Sequence, residues 1–169
     1  VLHNLSFVED PTRIFRAIRL EQRMGFNIVQ HTRRLIRSAV NLKLFGNEHD
    51  PRFFTELQII LSEENPVPAI YRMEEFELFQ FLWPDLKPHI KIDTRLGEIL
   101  NQAYNAVSWF KLLYLKEKCD YWLVYLMAIM GRSGVEELEN FCKRFAVPAK
   151  QGSKLIDTKK QIDPLASYY

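Results

Sequence analysis

The sequence predicts an all-α protein, and three observations carry that prediction. Apolar residues recur at spacings of three and four rather than two through most of the 169 residues, the period of a helix face. Capping residues stand directly before prolines at Asp10-Pro11, Asp50-Pro51 and Asn65-Pro66, where proline's fixed φ and missing N–H suit the first helical position. Glycine occurs only six times, well below its usual share of about 7%, and the six never fall into the GxGxxG or GxxxxGK(S/T) pattern of a phosphate-binding loop.

Taken in order, the first helix is predicted over 10–24. Ser6 and Glu9 also have capping-box spacing, but a helix begun at Ser6 would carry Pro11 beyond its first turn, where the ring clashes with the carbonyl four residues back. Asn27 and Gln30 share capping-box spacing and open a helix over 28–42. Asp50-Pro51 opens 51–62, and Asn65-Pro66 opens 66–76. Leu82-Trp83-Pro84-Asp85-Leu86-Lys87-Pro88 then breaks the pattern with two prolines, the best internal boundary, and divides a unit over 1–82 from one over 83–169. Helices follow at 94–114, 118–130, 134–145, opened by Ser133 and Glu136, and 149–162. Tyr104, Trp109, Phe110, Tyr114, Tyr121, Trp122 and Tyr125 crowd one helical stretch; their rings could stack on RNA bases, but most are expected in the core.

Composition excludes several classes of protein. Two cysteines, Cys119 and Cys142, cannot build a disulfide framework or a Cys-rich zinc module, which points to a reducing, cytoplasmic setting. The longest apolar run, Tyr121 to Met130, is about half of the roughly 20 residues a bilayer requires, so no membrane partner is expected, and no secretory signal is visible. His3, His31, His49 and His89 are too scattered for a metal site. The chain begins without Met, which suggests a piece of something longer.

A net charge of +2 conceals an asymmetry. Residues 1–46 carry a balance of +5, with seven arginines among eight bases, while the remainder carries −3. Arginine's planar fork pairs with phosphate or a base edge as lysine's point charge cannot. At about 100° per residue, Arg16, Arg23 and Arg19 lie at roughly 300°, 280° and 240° from Arg13, whereas Ala17, Ile14 and Ile18 lie at roughly 40°, 100° and 140°. One helix thus has an arginine face and a core face. A solvated surface would satisfy the same charges, but such a face usually interleaves acids at i±4. Only Glu21 is near, on the apolar side, so the arginines call for an anionic partner.

At the head of that helix stands Glu9-Asp10-Pro11-Thr12-Arg13. Asp accepts hydrogen bonds and Arg, about one turn on, donates them, which is the pattern needed to read a nucleobase edge: Asp takes the exocyclic amine, Arg the ring nitrogen or carbonyl. The alternative reading of the same residues is that Asp10 is only an N-cap, worth about 1 kcal/mol, and Arg13 only a surface base.

The string from Ser6 to Arg19, closing with Met24-Gly25-Phe26, resembles the neck of the class II tRNA nucleotidyltransferase and bacterial poly(A) polymerase family, with its EDxxR motif and the arginine ladder after it. Arg52-Phe53-Phe54-Thr55-Glu56-Leu57 resembles that family's later neck helix, and Ala69-Ile70-Tyr71-Arg72-Met73 with Phe79 and Phe81-Leu82-Trp83-Pro84 fits the stretch after it. The resemblance is strong over 1–88 and weak beyond. Val1 to Val8 looks most like the A-adding, multidomain branch.

The resemblance implies an irregular multi-helix neck (1–82) and body (83–169). Asp10 and Arg13 would hydrogen-bond the base of incoming ATP, and of CTP if the enzyme is CCA-adding; Arg16 and Arg19 would line the same nucleotide site. Glu9 would orient Arg13, and Arg52 and Glu56 would support the helix. The family transfers a nucleotide to the 3′-hydroxyl of tRNA using two metal ions held by a head domain, so Mg2+ would belong to the full-length enzyme. Here no DxD pair and no Gly-Ser head loop occur. The resemblance therefore implies a chain without its catalytic head, carrying neither catalytic residues nor a metal, and inactive alone. Lys143, Arg144, Lys150, Lys154, Lys159 and Lys160 could meet the tRNA backbone from the body, or equally form a solvated face. The rival reading is a helical RNA-binding or adaptor module with no nucleotide site.

Overall fold

In a computed structural model that describes residues 5–42, 50–114 and 119–166, the chain is helical throughout, with no strand among those residues. Ten helices follow one another: α1 (Ser6–Glu9), α2 (Thr12–Met24), α3 (Gln30–Asn41), α4 (Pro51–Leu61), α5 (Val67–Glu75), α6 (Leu78–Leu82), α7 (Thr94–Leu112), α8 (Tyr121–Ile129), α9 (Val135–Arg144) and α10 (Ala149–Ala166).

Two expected caps account for the helix starts they were assigned, and a third start has a cap that the sequence reading did not name. Asp50 accepts the backbone N–H of Arg52 at 2.9 Å, with Pro51 at the first helical position of α4. Asn65 accepts that of Val67 at 3.2 Å, and Asp93 that of Leu96 at 2.8 Å. At the amino end, the competing starts at Ser6 and Asp10 are both used. Ser6 opens α1, which ends at Glu9 before proline's ring could clash. Asp10 then turns the chain, its Oδ1 accepting from the Thr12 backbone N–H at 3.2 Å and hydroxyl at 2.5 Å.

Two predicted capping boxes do not form. Extended Val29 precedes α3 without a side-chain cap, and the Ile28 N–H donates instead to Glu21 Oε1 at 2.7 Å. Gly134 precedes α9, while the Ser133 hydroxyl turns back to the Met130 carbonyl at 2.7 Å. The five-residue α6 was not expected; it follows Glu77, which takes a left-handed φ of 58°. α10 also continues through Pro164 to Ala166 rather than stopping at 162.

One apolar core runs from Phe7 to Leu155. α2 contributes Ile14, Phe15 and Ile18, all fully buried, so its core face is the one the helical wheel placed there. α4 lies at the centre. Phe53 packs against Phe15, Phe81 and Phe145 with centroids 4.8–5.8 Å apart, and Phe54 against Trp122 and Phe141. Trp83 stacks on Phe141 at 5.3 Å. These rings join the segments before and after residue 82. The aromatic run of α7 and α8 splits: Trp122 and Tyr125 are buried, Tyr104, Phe110 and Tyr121 half-buried, and Trp109 and Tyr114 exposed.

Candidate nucleotide-base and RNA interface

The turn between α1 and α2 brings residues seven apart in sequence into contact. α1 is too short to hold itself by intrahelical bonding alone, but Phe7 is buried in the core and so fixes the segment. The chain reverses at Asp10-Pro11, and Arg13 reaches back under α1. Its Nη1 donates to the Ser6 hydroxyl at 2.5 Å and to the Ser6 carbonyl at 3.4 Å, and its Nε lies 3.7 Å from Asp10 Oδ2. Acceptor and donor thus stand side by side, Arg13 with 42% of its side chain exposed and Asp10 with 17%. Glu9 sits exposed at the end of α1.

Further along α2, the arginine face meets its anion within the fold. Arg16 Nε donates to Glu56 Oε1 at 2.6 Å, and Arg19 Nε lies 3.9 Å from Glu56 Oε2. Glu56 projects from α4 with only 7% of its side chain exposed. Arg19 Nε and Glu56 Oε2 are both buried and find no hydrogen-bond partner among the described residues. One carboxylate therefore holds two arginines at unequal distances. It offsets one of their two charges.

Arg52, one turn before Glu56 on α4, makes the second connection. It binds Asp50 through Nε and Nη2, the latter at 2.7 Å, and reaches Asp10 Oδ2 with Nη1 at 3.4 Å. Hydrogen bonds from Arg52 hold the Asp50 carboxyl below its ordinary range. The structure thus brings Asp10, Arg13, Arg16, Arg19, Arg52 and Glu56 to the facing sides of α2 and α4. Sequence reasoning missed Ser6 as a member of this group, having met it only as a competing helix start and the first residue of the string that resembles the family.

The other face of α2 is tied down by Glu21, whose side chain is 3% exposed. Arg72 of α5 grips it with Nε at 2.7 Å and Nη2 at 2.5 Å. Burial alone would raise the Glu21 pKa, but the hydrogen bonds from Arg72 and the Ile28 N–H, with the charges of Arg72 and Arg33, outweigh it and hold the carboxyl below its usual range. Gly25 ends the helix at φ 64°, a conformation that costs glycine little.

The candidate RNA contacts of the second half separate. Lys143 is exposed on α9. Arg144 lies over the rings of Phe81 and Phe145, 5.7 and 5.8 Å from their centroids. Lys154 pairs with Asp120 at 2.5 Å and stays half-exposed. Lys159 corrects the sequence reading. It is 1% exposed, its ammonium donating to the Gly131 carbonyl at 3.1 Å and pairing with Asp163 at 2.7 Å, so it joins α10 to the end of α8 instead of facing RNA. No group of three or more His, Cys, Asp or Glu that could hold a metal occurs among the described residues. No helix among them is long and apolar enough to cross a membrane.

Comparison with known proteins finds relatives of the chain. Residues 25–90 match the family described as "Probable RNA and SrmB- binding site of polymerase A". The chain is 43% identical over 159 residues to the A-adding tRNA nucleotidyltransferase of Geobacter sulfurreducens, a match covering 94% of this chain and 18% of that protein. It is 28% identical to the A-adding enzyme of Aquifex aeolicus, with 88% of this chain and 18% of that protein covered. Among solved structures, a CCA-adding enzyme in complex with CTP superposes with a TM-score of 0.81 at 30% identity, over 99% of this chain and 38% of that one. The Thermotoga maritima CCA-adding enzyme in complex with tRNA-CCA gives the same values. The chain spans 18% of the length of these curated relatives.

Proposed function

Because this chain belongs to the tRNA nucleotidyltransferase and poly(A) polymerase family, we propose that it forms the neck (1–82) and body (83–169) of an enzyme that adds A, or CCA, to tRNA 3′ ends. In that enzyme Asp10 and Arg13 read the base of the incoming nucleotide. Adenine and cytosine both offer an amine beside a ring nitrogen acceptor, and Asp10 accepts from the first while Arg13 donates to the second. Guanine and uracil present a carbonyl where Asp10 needs a donor and are disfavoured.

The single observation that supports this reading is the placement of Asp10 Oδ2 3.7 Å from Arg13 Nε at the head of α2, in front of two arginines converging on one buried glutamate. Arg16 and Arg19 assist in placing base and triphosphate. Glu56 and Arg52 hold the reading helix, and Glu9 completes the support of Arg13. Lys143, Arg144 and Lys154 grip the acceptor arm from the body. Phosphoryl transfer and its Mg2+ belong to a head domain elsewhere in the polypeptide, so the chain alone is inactive. The enzyme is cytoplasmic, with tRNA, ATP and, for a CCA-adding enzyme, CTP as its partners.

The test is nucleotide choice in the full-length protein. Asp10→Ala and Arg13→Ala should each erode discrimination by an amount of the order of 1–3 kcal/mol, as for a bidentate base contact. Selectivity unchanged in both variants, together with salt-dependent RNA binding by this chain, would favour a plain RNA-binding module.

A further inference from the structure

The geometry points to Ser6 as the positioning residue that sets Arg13 against Asp10 and thereby fixes the spacing of the base-reading pair. This rests on the reading of Asp10 and Arg13 given above. Ser6 touches both members. Its carbonyl accepts from the Asp10 backbone N–H at 3.3 Å and from Arg13 Nη1 at 3.4 Å, and its hydroxyl accepts from the same Nη1 at 2.5 Å. Both hydrogen-bond contacts of Nη1 are thus made with a single residue, and Nε lies toward Asp10.

The arrangement depends on the Pro11 break. In a continuous helix residues 6 and 13 would lie two turns apart, about 10 Å along the axis. Only because α1 stops at Glu9 and the chain turns can Arg13 fold back onto Ser6. Ser6 is itself immobilised, 5% exposed and followed by Phe7 in the core. A guanidinium has several rotatable bonds between its backbone and its fork, so without such an anchor it samples many orientations, and a donor that wanders discriminates poorly. The neutral hydroxyl suits this role. A carboxylate at position 6 would compete with Asp10 for the same arginine, whereas a serine oxygen takes one proton and leaves the charge available to the base.

The experiment uses the full-length protein and measures kcat/KM for ATP, CTP, GTP and UTP in Ser6→Ala, Ser6→Cys and Ser6→Thr, with Arg13→Ala as the reference. Ser6→Ala and Ser6→Cys should lower discrimination against GTP and UTP roughly tenfold, the worth of one charge-assisted hydrogen bond. Ser6→Thr, which keeps the hydroxyl, should restore it. In the Arg13→Ala background the Ser6→Ala change should add nothing further.

Cysteine preserves the volume, so it carries the test if the alanine variant folds poorly. Three results overturn the assignment. Discrimination retained in Ser6→Ala and Ser6→Cys while Arg13→Ala loses it removes Ser6 from the role and leaves the base reading intact. An equal fall with all four nucleotides marks Ser6 as purely structural. Discrimination retained in Arg13→Ala removes the base reading itself.

Discussion

Replacing Glu21 with glutamine tests the frame that holds the arginine helix. Glu21 accepts three hydrogen bonds, two from Arg72 and one from the Ile28 N–H, at 2.5–2.7 Å, and its side chain is 3% exposed. Deleting one partner of such a pair outright costs about 3–5 kcal/mol. Glutamine keeps an acceptor for one of the donors but loses the charge, and Glu75 remains on Arg72, so the expected loss is about 2 kcal/mol, the worth of one hydrogen bond to a charged group. For a chain of this size that lowers Tm by about 4–8 °C. Urea unfolding followed by circular dichroism should show a lower midpoint at unchanged slope.

The pH dependence supplies the sign. The carboxyl is held below its ordinary pKa of 4.5 in the folded chain. Its contribution is therefore complete above that value and is lost as pH falls through the lower, folded one. The gap between wild type and Glu21→Gln should be full at pH 7 and narrow as the medium is acidified to about pH 3. A gap under about 0.5 kcal/mol at neutral pH, the range of surface substitutions, or one that does not narrow in acid, would mean that the Glu21 charge does not brace the helix.

Three further outcomes follow from the contacts described. Glu56→Gln should release Arg16 and Arg19 and raise KM for the nucleotide roughly tenfold in the full-length protein, since charge-assisted bonds are about twice as strong as neutral ones; an unchanged KM would mean the two arginines hold their places without it. Lys159→Ala should destabilise the chain by about 1–3 kcal/mol through the space left by a buried side chain and the loss of its bonds to Gly131 and Asp163, and leave tRNA affinity, read by fluorescence anisotropy, where it was. Gly25→Ala meets no atom within 4 Å, so its cost should be the left-handed backbone alone, about 1–2 kcal/mol by chemical denaturation.

Most of this was legible in the sequence because helix period and caps are local. Asp50-Pro51 and Asn65-Pro66 start helices where they stand, and the wheel of α2 separates Ile14 and Ile18 from Arg16 and Arg19 as the structure does. What local rules could not supply was choice between neighbours. Ser6 and Asp10 read as competing starts, but a short helix and a long one can share the proline between them. Ser133 met the spacing of a capping box, yet its hydroxyl found a nearer acceptor in Met130. The lysines of α10 read alike in sequence, and only the end of α8 decides that Lys159 lies inside. Glu21 likewise read as a lone acid on an apolar face, because its partner, Arg72, lies 51 residues away.

α4 shows one face to the arginines through Glu56 and another to the ring cluster through Phe53 and Phe54. Eleven residues of helix separate nothing that could flex, and close-packed interiors pass strain along rather than absorb it. One short helix thus carries both the acid that seats Arg16 and the rings that join the two segments of the chain, so substitutions in the ring cluster and at Glu56 are not independent of one another.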